Sequence, residues 1–338
     1  MPETQCICKD KEKNETMQTR EIIENTEFQF QPITLDKKKL IESYTKPWGA
    51  ECSDLSFTNM FIWGTDSKME YAEKDHVLFI KLDFKRVPIY FWAPIPMRGA
   101  DVNYGKAVYR AIGYMKKAGV EPTFRSVSSP FYEMMRKACP ELFVLPTDIA
   151  WDYVYEREKL DTLSGKKLHA KRNHINKFRS LYPEYEYKKL EPSMIQDCMA
   201  LYDQWKEEKE EDNAGLREER NSVLLALNNM EELGLVGGAI FVDDRLIAFT
   251  VGERLQPHMQ LVHIEKADAS FEGIYPMINQ QYVKNECTEV TLVNREEDMG
   301  IEGMRQAKRA YHPVKMIEKY MFSIRDLSHI KGIWGWEE

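Results

Sequence analysis

The chain has 338 residues, with 47 Lys plus Arg against 55 Asp plus Glu, a formal charge of −8. At 43% hydrophobic and 30% charged residues, it is neither a disordered polyampholyte nor a membrane-embedded protein. The longest apolar runs, 87–97 and 233–242, fall short of the ~20 residues that cross a bilayer, and the length suits two domains.

Residues 1–28 are charged and aperiodic, which predicts a mobile tail without the apolar stretch of a secretory signal. A cytoplasmic location without integral membrane association is therefore expected. Helix spacing covers 36–44, with Leu40, Ile41 and Tyr44 on one face, and a second helix starts in 53–63. Strand-like runs at 69–74, 76–84 and 87–94 suggest an antiparallel meander. A helix at 103–118 ends at Gly119, a strand at 123–127 follows, and Pro140 stops a helix at 130–139. The run 142–156 reads as one strand. The second half repeats this order: helices at 192–209 and 220–233, then strands at 235–242, 245–255 and 259–267. A helix at 273–285, a strand at 289–294, a helix at 300–311 and a closing strand at 314–324 complete it. Repetition at about 150 residues is the trace of a duplicated domain. The expected boundaries are 29–160, a basic linker helix at 161–190, 191–328 and a tail at 329–338.

The six cysteines include one close pair, Cys6 and Cys8, and no Cys or His pair has zinc-finger spacing. Reduced thiols and no metal site are expected. There is no Gly-x-Ser-x-Gly elbow, Walker loop, His-Glu-x-x-His or kinase signature.

The element order resembles that of the GNAT acyltransferase superfamily. Three segments sharpen the resemblance: SDLSFTNMFIW at 53–63, LSGKKLHAKRNHINKF at 163–178 and NREEDMGIEGMRQAKRAYHPVKMIEKY at 294–320. Together they resemble the family related to the C-terminal domain of phosphatidylglycerol lysyltransferase, with Fem-type aminoacyltransferases as more distant relatives. The resemblance implies an α/β fold with mixed sheets, in two tandem GNAT-like domains. It also implies movement of an acyl or aminoacyl group from a coenzyme A thioester or charged tRNA to an amine or hydroxyl acceptor. The superfamily's phosphate loop is reduced here to Gly273 beside Glu272, and in the first half to Arg98-Gly99-Ala100. That departure favours an alternative, a non-catalytic module binding a phosphorylated metabolite, coenzyme A or tRNA.

Candidate site residues concentrate in the second half. Lys166, Lys167, Lys171, Arg172, Lys177 and Arg179 form a run without acids, and Lys167, Lys171 and His174 share a helix face suited to phosphates. Contact with tRNA, a coenzyme or, peripherally, anionic lipid is expected there; the plain alternative is a solvated linker. Glu296, Glu297 and Asp298 follow a strand and are candidate bases for acyl transfer, or acids favouring a helix N-terminus. Arg305, Lys308 and Arg309 are their expected partners. His263 and Glu265 alternate along a strand, so they are expected on one face, with Glu265 a further base and His263 a structural residue. Lys266, Phe271, Gly273, Ile274, Tyr275 and Asn294 would hold the donor. Tyr275 is a candidate general acid or a core residue. The acidic segment 206–220 reads as an exposed loop.

Overall fold

The computed structural model describes residues 27–64, 68–84, 87–207 and 214–326. The expected tails therefore lie outside the described residues, apart from positions 27 and 28, as does the centre of the acidic loop. The chain forms two compact units: 1–48, 64–147 and 318–338 in the first, 49–63 and 148–317 in the second.

The first half contributes β1 (Gln31–Pro32), helix α1 (Lys38–Thr45), helix α2 (Phe57–Gly64), β2 (Glu70–Lys74), β3 (Val77–Leu82), β4 (Tyr90–Trp92) and β5 (Ile95–Pro96). Helix α3 (Tyr104–Lys117), β6 (Thr123–Val127), α4 (Phe131–Ala138) and β7 (Phe143–Pro146) follow. Local chemistry accounts for the elements. The Asn103 side chain accepts from the Lys106 amide and caps α3, whose Ala107, Val108, Ala111, Ile112 and Met115 are buried at helical spacing. Asp75 and His76 both have positive φ, as a two-residue hairpin between β2 and β3 requires.

The second half runs β8 (Asp152–Glu156), α5 (Arg157–Thr162), α6 (His169–Leu181), β9 (Glu186–Lys189), α7 (Ile195–Glu207), α8 (Ala214–Asn228), α9 (Met230–Leu233) and β10 (Leu235–Val242). Then come β11 (Arg245–Gln256), β12 (Met259–Ala267), α10 (Ile274–Glu286), β13 (Leu292–Asn294), α11 (Glu302–Arg309), β14 (Lys315–Ile317) and β15 (Tyr320–Ser323). Residues 161–190, expected as a linker, lie within the second unit, where Ile175 and Phe178 of α6 enter its core with Met277, Ile278 and Tyr282 of α10.

Each sheet takes in one strand from across the expected domain boundaries: β15, within 191–328, joins the first, and β8, within 29–160, joins the second. In the first the order is β1-β2-β3-β4-β6-β15-β7, and in the second β14-β8-β13-β12-β11-β10-β9. Thus β15 lies between β6 and β7, as β8 lies between β13 and β14. The runs 142–156 and 314–324 are accordingly not single strands. Each is broken, at 147–151 and at 318–319, and its two parts join different sheets. The fold is α/β, with two tandem GNAT-like units, and in both the fourth layer of pairing is parallel: β4 with β6, and β12 with β13.

Candidate active site in the second unit

Strands β12 and β13 pair at Met259 with Leu292, Gln260 with Val293 and Leu261 with Asn294, and then separate. Beyond this point β12 carries His263 and Glu265, while the chain after β13 carries Arg295 to Asp298. The gap is bridged by side chains rather than by a backbone ladder. A bulge accompanies the separation: β11 pairs Val251 with Ile264 and Gly252 with Val262, leaving His263 as the extra residue. The bulge breaks the two-residue alternation, so the expectation that His263 and Glu265 share a face is corrected. Glu265 reaches Asn279 of α10, whose neighbours form the core that includes Val262, whereas His263 faces the network anchored on α2.

On the α2 side, His263 lies between two carboxylates. Its Nε2 is 3.1 Å from Glu253 Oε1 and its Nδ1 3.0 Å from Glu296 Oε1. Burial disfavours a charged ring, but the hydrogen bonds to Glu253 and Glu296 outweigh it and raise the His263 pKa to about 9. The ring is therefore an imidazolium at neutral pH, donating from both nitrogens. The Ser56 hydroxyl donates to Glu253, and Asn59 Nδ2 donates to Glu296 at 2.9 Å. Glu296 itself has φ +56°, a left-handed conformation rare for a residue with a side chain. Asn294 Oδ1 accepts from the Glu296 amide, and Asn294 Nδ2 donates to Asp152, which also accepts the amide and hydroxyl of Ser53.

Lys308 completes the hold on this loop. Its buried ammonium donates to the carbonyls of Arg295, Glu296 and Glu297, and burial lowers its pKa. Asp298 is fully buried and accepts from Tyr153, from Arg305 and from the Gly300 amide. Arg305 and Lys308 thus do partner this acidic loop, but through Asp298 and through backbone carbonyls rather than through Glu296.

On the α10 side, Arg295 donates to Glu265 at 2.9 Å, and the other Glu265 oxygen accepts from Asn279 at 3.3 Å. The Arg295 guanidinium lies 5.1 Å from the Tyr311 ring centroid, and Lys171 of α6 lies 4.3 Å from the same centroid. Other members of the basic segment are placed differently. Arg172 donates to the Leu163 and Gly165 carbonyls, Lys177 is 3.5 Å from Glu272, and Lys166, Lys167 and His174 are exposed.

The expected donor-binding residues do not gather around an open helix end. A Cβ on Gly273 would lie 2.3 Å from the His174 carbonyl oxygen, so α6 packs directly on the start of α10. The Phe271 and Ile274 amides donate to Asp268 and Phe271 carbonyls, Ile274 is buried, and the Tyr275 hydroxyl donates to the Ala267 carbonyl. The Phe271 ring packs on Tyr182. Lys266 is buried beneath α7 and α8, 2.8 Å from Glu219 and 3.4 Å from the Trp205 ring centroid. Glu297 is half-buried beside Lys308.

Sequence reasoning missed Glu253, Ser56, Asn59 and Asp152. One signal was available: Ser53, Ser56 and Asn59 stand among Leu55, Phe57, Met60, Phe61 and Ile62, and all three are buried.

Comparison with known proteins places the chain in a family and a fold. A solved protein of unknown function from Bacteroides thetaiotaomicron is 34% identical, with a TM-score of 0.81 over 88% of this chain and all of that one. The structure of L-PGS from Bacillus licheniformis is 13% identical, with a TM-score of 0.59 over 86% of this chain and 93% of that one, a likeness of fold. An uncharacterised protein from Mycoplasmoides gallisepticum is 26% identical over 175 residues, which cover 51% of this chain and 56% of that protein. The chain thus spans about half the length of that curated relative. The family described as phosphatidylglycerol lysyltransferase, C-terminal, matches residues 47–323, and the chain belongs to it.

Proposed function

We propose that the chain is an acyl- or aminoacyl-transferase that works in the gap between β12 and β13. The observation that carries this reading is the separation of the parallel pair after Leu261 and Asn294, with charged side chains lining both sides. An acyl donor entered there would meet cations from Lys171 and Arg295. An acceptor amine or hydroxyl attacks the donor carbonyl, the bond to the thiol or ribose oxygen breaks, and a base takes the acceptor's proton. Glu265 and Glu296 are each engaged with a charged partner, Arg295 or the His263 imidazolium. In this proposal Glu297, on the loop after β13 that Lys308 holds, takes the proton, and Glu265 and Glu296 shape the gap. The donor is a coenzyme A thioester or a charged tRNA, with Lys166, Lys167 and His174 as exposed phosphate contacts. The family's description names phosphatidylglycerol, and for this chain a hydroxyl-bearing lipid is one acceptor to assay.

One observation favours a second reading. Gly273 is covered by α6, and the Phe271 and Ile274 amides are already bonded, as suits a module that binds its ligand without turnover. Melting scans with coenzyme A, acetyl-coenzyme A and charged tRNA, each added separately, decide between the readings together with a turnover assay. A ligand at a hundred times its Kd stabilises by about 2.7 kcal/mol. Transferase action predicts a shift with one donor and loss of turnover, roughly a hundredfold or more, in Glu297→Gln. Binding without turnover supports the second reading, and no shift with any donor removes both.

A further inference from the structure

Lys171 stands apart from the other cations of its segment. Arg172 and Lys177 have partners, and Lys166 and Lys167 extend into solvent. Lys171 is half-buried, with its Nζ over the Tyr311 ring and no carboxylate within 4.0 Å among the described residues. The same ring also faces Arg295. Of the two cations, Arg295 takes the carboxylate, because Glu265 accepts from it at 2.9 Å and from Asn279 with its second oxygen. Lys171 is left with a ring face, a poor replacement for lost hydration.

We infer that Lys171 is a nucleophilic amine that accepts an acyl group from a thioester, becoming an N-acyl-lysine. In the step, the neutral ε-amine attacks the thioester carbonyl carbon. A C–N bond forms, the C–S bond breaks, and the departing thiolate carries away the proton lost by nitrogen. Burial and the Arg295 charge both lower the Lys171 pKa, while Glu265 opposes them, and the net shift enlarges the neutral fraction at neutral pH. The groups that set it come from every side: Glu265 on β12, Arg295 after β13 and Tyr311 after α11. Acylation removes one of the two positive charges on the Tyr311 ring. The inference needs only the surroundings of Lys171 and stands whether or not a second acceptor is turned over.

The test treats the full chain with acetyl-coenzyme A and, separately, with a small acetyl thioester. Peptide mass spectrometry then follows acetyl addition from pH 6.5 to 10, with Lys166 and Lys167 as references on the same segment. A tenfold gain in neutral amine raises rate about threefold once the weaker nucleophilicity is counted. The expected result is Lys171 labelled at least about threefold faster than both references near pH 7, with an advantage that shrinks as pH rises. The small thioester should show the same preference, because it does not depend on a nucleotide site. Labelling no faster than at Lys166 and Lys167 overturns the inference. So does faster labelling with the same pH midpoint as theirs, which reflects access alone. Lys171→Arg, which keeps the charge, should abolish this mark and leave the reference marks unchanged.

Discussion

At the residue scale, His263 shows how a charge is kept inside a dry network. Two carboxylates, Glu253 and Glu296, accept from its two ring nitrogens, and Ser56 and Asn59 supply further donors to those carboxylates. Removing one member leaves a buried charge without its partner, the costly case for buried ion pairs. Because the folded pKa of about 9 exceeds the ordinary 6.5, the histidine's stabilisation is complete below about pH 6.5. It declines as pH rises and is lost through about pH 9. Its full size is roughly 3 kcal/mol. Comparing wild type with His263→Gln by denaturant titration should therefore give the largest difference near pH 6 and a much smaller one near pH 9.5. A difference independent of pH would mean that the ring is not charged in the folded protein. Several participants were legible locally: Asn294 ends a strand, Glu296 follows it, and Lys171 lies in an acid-free run. Glu253 and Asn59 were not, because they sit 10 residues from His263 and 237 from Glu296, distances that only folding closes.

At the element scale, two glycines with the same left-handed backbone, Gly273 at the start of α10 and Gly99 in the turn before α3, have different surroundings. Gly99 and Gly273 both have φ near +90°, yet a Cβ at Gly99 meets nothing within 4 Å, while one at Gly273 collides with the α6 backbone. The left-handed conformation alone costs an alanine about 1–2 kcal/mol. The collision adds a shift of α6 of the kind that overpacked cores show, about 1–3 kcal/mol. Gly273→Ala should thus lower stability by roughly 2–5 kcal/mol and Gly99→Ala by roughly 1–2. Equal losses in the two variants, read from chemical unfolding, would show that α6 does not press on α10. The periodicity of Gly273 to Asn285 was enough to predict a helix. It carried no information about what covers the helix start, since the covering carbonyl belongs to His174, about a hundred residues earlier.

For the whole molecule, the first sheet depends on segments far apart in the sequence, because β15 joins strands that begin at Gln31. Strand β15 lies inside the first sheet, with β6 on one side and β7 on the other, and Thr147 donates twice to the Lys319 carbonyl. Truncation after Ile317 removes this interior strand and leaves the ladder groups of β7 and of the mostly buried β6 unpaired. The first unit of the truncated chain should become sensitive to limited proteolysis within residues 68–147, while fragments from 148–317 persist. A first unit as resistant as in the full chain would show that β15 is dispensable.

The order and approximate extent of the elements, their duplication and the α/β class followed from the sequence, because burial periodicity and turn chemistry act over a few residues. The runs 142–156 and 314–324 marked the limit: an extended run has the same local pattern whether its strand stays in one sheet or passes to another. Which strand enters which sheet, where the bulge puts His263, and which carboxylate Arg295 or His263 holds were decided only by the tertiary structure. These depend on hydrogen bonds and ion pairs between residues far apart along the chain, whose energies exist only once the backbone has closed around them.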